Sequence, residues 1–135
     1  MRCIDLDNNT INWKIGGNSI HGSKKTAKST YHLTARKLLQ EIYPTILVYE
    51  EVTIPVRNRE VAYLDFYIPM LSMCIEVNGE QHFKYVPFFH KSIGGFVAQK
   101  RKDNEKSLWC EQNNIQVINL NYSETIDEWR SKLTS

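Results

Sequence analysis

"LDFYIPMLSMCIEVNGEQH", residues 64–82, holds two strand-like runs, each broken by one acid. Tyr63, Leu64, Phe66, Tyr67 and Ile68 surround Asp65, and Cys74, Ile75 and Val77 surround Glu76. Aromatic and β-branched residues favour the pleated strand, and Pro69 and Gly79 punctuate the two runs. A carboxylate buried in such a run costs several kcal/mol unless it is paired or holds a cation. If the two strands pair, the carboxylates meet and repel unless a proton or cation lies between them. Hard oxygen ligands of this kind suit Mg²⁺, which keeps several waters and takes one or two carboxylates plus a substrate phosphate. Asp65 and Glu76 are therefore the candidate metal ligands.

Working outward, "TILVYEEVTIPV" (residues 45–56) reads as a strand before this pair, joined to it by the polar turn "RNRE". "STYHLTARKLLQEIYP" reads as a helix, capped by Ser29 or Thr30 and ended by Pro44. Downstream, "HFKYVPFFHKSIGGF" (residues 82–96) reads as an irregular loop, with Gly94 and Gly95 as a hinge or a close approach to phosphate. Its aromatics, Phe83, Tyr85, Phe88 and Phe89, interleave with Lys84, His90 and Lys91, a mixture suited to stacking on bases while cations hold phosphates. A second helix follows over "VAQKRKDNEKSLWCEQNN", with Val97, Leu108 and Trp109 on or near its buried side. "IQVINLNY" is a fourth strand and "TIDEWRSKL" a short closing helix with Thr125 as its cap. The pattern is α-β-β-β-α-β-α: an α/β fold with a mixed central sheet of about four strands flanked by helices. A helical crossover lets the last strand pair parallel with one of the first three.

The 135 residues suffice for one domain with its own core. Residues 1–28 differ in composition, with an ordered piece around "TINWKI" pinned by Trp13 and then a basic linker; residues 29–135 form the main domain. No apolar run approaches a membrane span or a secretory signal, so a soluble cytoplasmic protein without a membrane partner is expected. Cys3, Cys74 and Cys110 form no CxxC pair, which argues against a disulfide framework or structural zinc; Cys74 is expected in the core. Net charge is only +2, but Lys24, Lys25 and Lys28 cluster at one place and Lys100, Arg101 and Lys102 at another, away from the acids. That segregation suits a phosphate-binding surface around an acidic centre.

The cluster Asp65, Glu76, Gly79 and His82, with Lys102-Asp103 and "IQVINLNY" downstream, resembles the PD-(D/E)xK nuclease superfamily over about residues 29–123. It is most similar to the branch of very-short-patch repair (Vsr-like) and phage homing endonucleases. The resemblance implies a restriction-endonuclease-like core and a Mg²⁺- or Mn²⁺-dependent endodeoxyribonuclease, with a phage or mobile-element origin. It implies hydrolysis that nicks one strand, leaving a 5′-phosphate and a 3′-hydroxyl. Asp65 and Glu76 would hold the metal, and His82, with His32 or Gln81, would position or deprotonate the attacking water. Asp103 would orient a histidine or join the metal shell through water, and Lys100, Arg101, Lys102 and Lys106 would bind phosphate. Three departures stand out. Asn78 occupies the place of the superfamily's usual lysine; His32 stands where the branch often has a glutamate near the start of the first helix; and the repair enzymes' zinc ligands have no equivalents. Glu50 or Glu51 could supply the missing acid.

The expected partner is DNA, with RNA left open. The alternative is a catalytically inactive nucleic-acid-binding module on the same fold, motivated by Asn78; a protein-interaction role built on the loop and the N-terminal arm is a third reading.

Overall fold

The computed structural model describes residues 1–23, 29–80, 83–84 and 86–135, with the side chains of residues 88 and 89 left out. The element order is β1 (Arg2–Ile4), β2 (Thr10–Asn12), β3 (Asn18–Ser19), α1 (Thr30–Ile42), β4 (Tyr49–Arg57), β5 (Glu60–Ile68), a 3-10 turn (Pro69–Leu71), β6 (Met73–Asn78), α2 (Pro87–His90), α3 (Ile93–Gln112), β7 (Gln116–Asn121) and α4 (Ile126–Thr134). Strands β3 to β7 form one five-stranded sheet in sequence order, antiparallel except for the parallel pair β6–β7. The α/β class and the meander with a parallel last strand follow the sequence reading. The fifth strand, β3, is two residues long and carries too little pattern to be seen in advance.

Helices cover both faces. Ala35, Leu38 and Leu39 of α1 and Trp129 and Leu133 of α4 pack with Val48, Phe66, Ile68, Ile75, Val77, Ile118 and Leu120. Trp109 and Cys110 of α3 pack on the other face with Val52, Ile54, Val56, Leu64, Tyr67 and Cys74. Each fully buried large apolar side chain contributes roughly 1.5–3 kcal/mol. The hairpin β1–β2 joins the α3 side through Trp13, whose indole N–H donates to the Thr53 carbonyl at 3.0 Å and whose ring meets Trp109 edge-on at 5.1 Å. Caps fall where hydroxyls were placed to make them: Ser29 accepts from His32 N–H, and Thr125 forms a capping box with Glu128. Among the described residues no helix is long and apolar enough to cross a membrane.

Two expectations need correction. The region read as a wholly irregular loop contains α2, and its two glycines lie in the first turn of α3, which Ser92 caps. Gly95 is there for space: a Cβ would stand 2.4 Å from the His90 carbonyl oxygen. Val97 and Leu108, expected toward the core, are 59% and 55% exposed. The face that α3 turns inward covers a polar pocket for much of its length, so apolar spacing misplaces the helix phase.

One irregularity organises the centre of the sheet. Side chains alternate along a strand, so residues 48, 50, 52 and 54 should share one face. Val48 instead packs with α1, while Val52 and Ile54 pack with α3. The inversion occurs at Glu51, whose φ is +55°. Its neighbour β5 inverts in step at Asp65, with Leu64 on the α3 face and Phe66 on the α1 face. A non-glycine residue at positive φ costs about 1–3 kcal/mol and persists only where packing on both sides demands it.

Candidate active site

Beyond the pair Phe66↔Ile75 the ladder between β5 and β6 stops, and β6 continues paired only with β7. The two strands part at Asp65 and Glu76, and these carboxylates take over the missing ladder bonds. Glu76 Oε2 accepts from the Asp65 backbone N–H at 2.9 Å, and Asp65 Oδ2 accepts from the Val77 N–H at 2.8 Å. The pairing anticipated from the two interrupted runs is thus present, and the acids lie directly across from each other.

Helix α3 crosses this split. Lys100, Asp103, Lys106 and Cys110, spaced three or four apart and so on one face, line a pocket of about 310 Å³ with the neighbouring Ser107 and with Asp65 and Glu76. Lys106 Nζ lies 3.0 Å from Glu76 Oε1. Burial and then the Asp65 charge push the Glu76 carboxyl up to about 8, with Lys106 pulling the other way. For Lys106 itself, burial is outweighed by Glu76 and Asp65, and its ammonium is held above its ordinary value.

This shift makes stability depend on pH. The unfolded Glu76 loses its proton near 4.5, and the folded one near 8. Between those values the folded state binds more protons, so its stability falls as pH rises, and the loss ends above about 8. Melting curves should show Tm dropping by about 5 °C or more between pH 5 and 8, and Glu76→Gln should remove most of that slope. An unchanged slope in the variant would show that another group controls it.

Other predicted residues lie elsewhere. His32 stacks on Phe66 on the face covered by α1, and its ring Nε2–H donates to Glu50 at 3.1 Å. Arg36 Nε donates to the same Glu50 oxygen at 3.0 Å. All three are buried. Neither His32 nor Glu50 lines the carboxylate pocket, and Glu51 serves as the kink. Arg101 and Lys102 are exposed and line a groove of about 970 Å³ that shares Asp103 and Lys106 with the pocket. Lys84 is exposed and pairs with Glu80. His90 Nδ1 accepts from the Val86 N–H at 2.9 Å, so Nε2 carries the proton and donates to Gln99 Oε1 at 2.6 Å, holding α2 against α3. Gln81, His82, Lys24, Lys25, Lys28 and Tyr85 lie outside the described residues. The Cys110 thiol and burial hold the Cys74 thiol well above its ordinary value, in keeping with a core role.

Sequence reasoning missed Asn119 and Asn121, which join Asn78 in the pocket wall. The signal was there: Ile118 and Leu120 belong to the core, so alternation along β7 turns both asparagines the other way. It also placed Lys106 with the phosphate binders and overlooked its approach to Glu76. Buried Trp109 and Cys110 set the helix phase, and Lys106 stands one turn before them.

Among the described residues, no group of three or more His, Cys, Asp or Glu side chains could hold a metal. No protein-family model and no solved structure matches the chain. Protein 307L of Invertebrate iridescent virus 6, described as uncharacterized, is 38% identical over 60 residues, which is 44% of this chain and 30% of the viral one. Protein 033L of Invertebrate iridescent virus 3, described in the same way, is 28% identical over 60 residues, or 44% and 31% of the two chains. The matched stretch spans under a third of the length of either curated relative. Over less than half of its own length, then, the chain is similar to proteins of two invertebrate iridescent viruses.

Proposed function

We propose that this chain is a divalent-cation-dependent endonuclease that hydrolyses DNA phosphodiester bonds one strand at a time, with one active site per chain on a restriction-endonuclease-like core. The observation that carries this reading is the Asp65–Glu76 pair at the strand split with the Lys106 ammonium against it. Two carboxylates face each other with oxygen donors only, and burial and the Asp65 charge raise the proton affinity of Glu76 even with Lys106 beside it. That donor set fits Mg²⁺ or Mn²⁺ held by Asp65 and Glu76. When bound, the ion supplies Lewis acidity at the phosphate and an acidified water.

The chain's own residues do the rest. Lys106 offsets the carboxylate charge and reaches the same pocket from α3, the service that the superfamily's strand lysine would have given where Asn78 now stands. Asp103 lies on the same wall, and its charge helps keep Lys106 protonated. Lys100 adds a second cation at the pocket, and Arg101 and Lys102 border the adjoining groove, where phosphates of the flanking chain would run.

Supercoiled plasmid with Mg²⁺ or Mn²⁺ should give relaxed circles before linear DNA. The double variant Asp65→Ala, Glu76→Ala should not cut, and cleavage that survives in it would overturn the assignment. A non-catalytic nucleic-acid-binding module is the rival reading. It is favoured by the Asn78 amide, which is engaged with Asn119 and Asn121 and not with the acids. It predicts salt-dependent binding with no cutting in either cation.

A further inference from the structure

The carboxylate pocket carries more polar chemistry than a two-acid site uses. Parallel pairing sets Asn119 beside Glu76 and Asn121 beside Asn78. Asn78 Nδ2 donates to Asn119 Oδ1 at 2.9 Å and to Asn121 Oδ1 at 3.1 Å. Asn78 Oδ1 is left as an acceptor, and the Asn119 and Asn121 amide N–H groups as donors, with no protein partner among the described residues. These groups line the pocket next to the acids. Phe83 stands in the same pocket, 48% exposed, its ring 5.7 Å from Tyr122 and 5.4 Å from Lys100 Nζ. The volume, about 310 Å³, lies at the small end of ligand pockets.

We infer that this pocket holds one unstacked nucleobase beside the carboxylate pair, so that the substrate is single-stranded or locally unpaired nucleic acid. The inference rests on the nucleic-acid reading of the same site. A nucleobase is a flat π-system with donors and acceptors on its edge. Phe83 offers a stacking face, the three asparagines offer an edge of both polarities, and Lys100 offers a cation for the attached phosphate. In a paired duplex both needs are already met, since the faces are stacked and the edges paired. An extruded or single-stranded base has both free. The groove that continues past Lys106 and Asp103 suits the neighbouring nucleotides. Tyr63 and Val61 are 52% and 54% exposed along it, with Arg101 and Lys102 on its α3 wall. Aromatic platforms interleaved with cations track a single strand without reading a sequence.

The test is binding without divalent cation, where no cutting competes. Anisotropy would compare a labelled DNA strand, its perfect duplex, and the strand carrying 2-aminopurine or one abasic position. The strand should bind about 10-fold tighter than the duplex, and 2-aminopurine emission should change on binding. Phe83→Ala should weaken strand binding about 5- to 50-fold and leave duplex binding unchanged. Its ring is exposed, so the fold tolerates its loss. The double variant Asn78→Ala, Asn121→Ala should act likewise, with melting curves as the check on its fold. Equal affinity for strand and duplex, or strand binding unchanged in both variants, would overturn the inference. Strand-selective binding without cleavage in Mg²⁺ or Mn²⁺ would instead reject hydrolysis and leave the base pocket standing.

Discussion

Lys106→Met should lower Mg²⁺-dependent cleavage about 100- to 1000-fold while the protein stays folded, the loss typical of removing one preorganised charge at a reacting centre. Methionine keeps the length of the partly buried stem and removes only the ammonium. Two effects then combine. The phosphate loses a cation, and Glu76 loses the neighbour that holds its proton affinity down. With Lys106 gone, Glu76 keeps its proton to higher pH. The rising limb of the pH–rate profile should therefore move upward, and excess Mg²⁺ should restore part of the rate. Lys106→Arg should rescue incompletely, because a planar fork does not occupy the place of a point charge. Wild-type rates in Lys106→Met would exclude the lysine from the chemistry and return attention to residues near 81 and 82.

Glu50→Ala should destabilise the fold by about 3–5 kcal/mol, as expected when one member of a buried ionic cluster is deleted. Glu50 is fully buried and accepts from His32, Arg36 and Ser23, so alanine removes the acceptor that a buried guanidinium and an imidazole share. Urea denaturation at pH 7 would measure it. Glu50→Gln, which keeps an acceptor, should cost less, and Arg36→Met in the Glu50→Ala background should recover part of the loss. A change under about 1 kcal/mol would mean that the cluster is solvated in solution. Glu50 and Glu76 are both strand acids, and their surroundings differ. Glu50 has a guanidinium and an imidazole for company, whereas Glu76 faces another acid.

The Asp65–Glu76 pair could be read from sequence because each acid interrupts an apolar run, and antiparallel pairing across a short turn leaves little choice of register. Cys74 and Trp13 were legible for the same reason, as apolar residues with only the core to go to. The placement of His32 was not. Its position at the start of α1 follows from the Ser29 cap, but which face of β4 it meets depends on the inversion at Glu51. A glutamate at positive φ has no local sequence signature, because packing on both faces imposes it. The exposure of Val97 and Leu108 was hidden by a related cause. A helix that roofs a pocket lined by charged and polar side chains turns such residues inward, and apolar periodicity then points the wrong way.

The inversion of β4 and β5 has a mechanical consequence. On one side of residues 51 and 65, Val52, Ile54 and Leu64 feed the α3 core, and on the other side Val48, Phe66 and Ile68 feed the α1 core while Tyr67 still faces α3. Asp65 therefore sits at a fulcrum gripped by two separate sets of side chains, and no slide of a single layer can carry it away from Glu76. The rigidity that a two-carboxylate site requires is drawn from the whole thickness of the molecule.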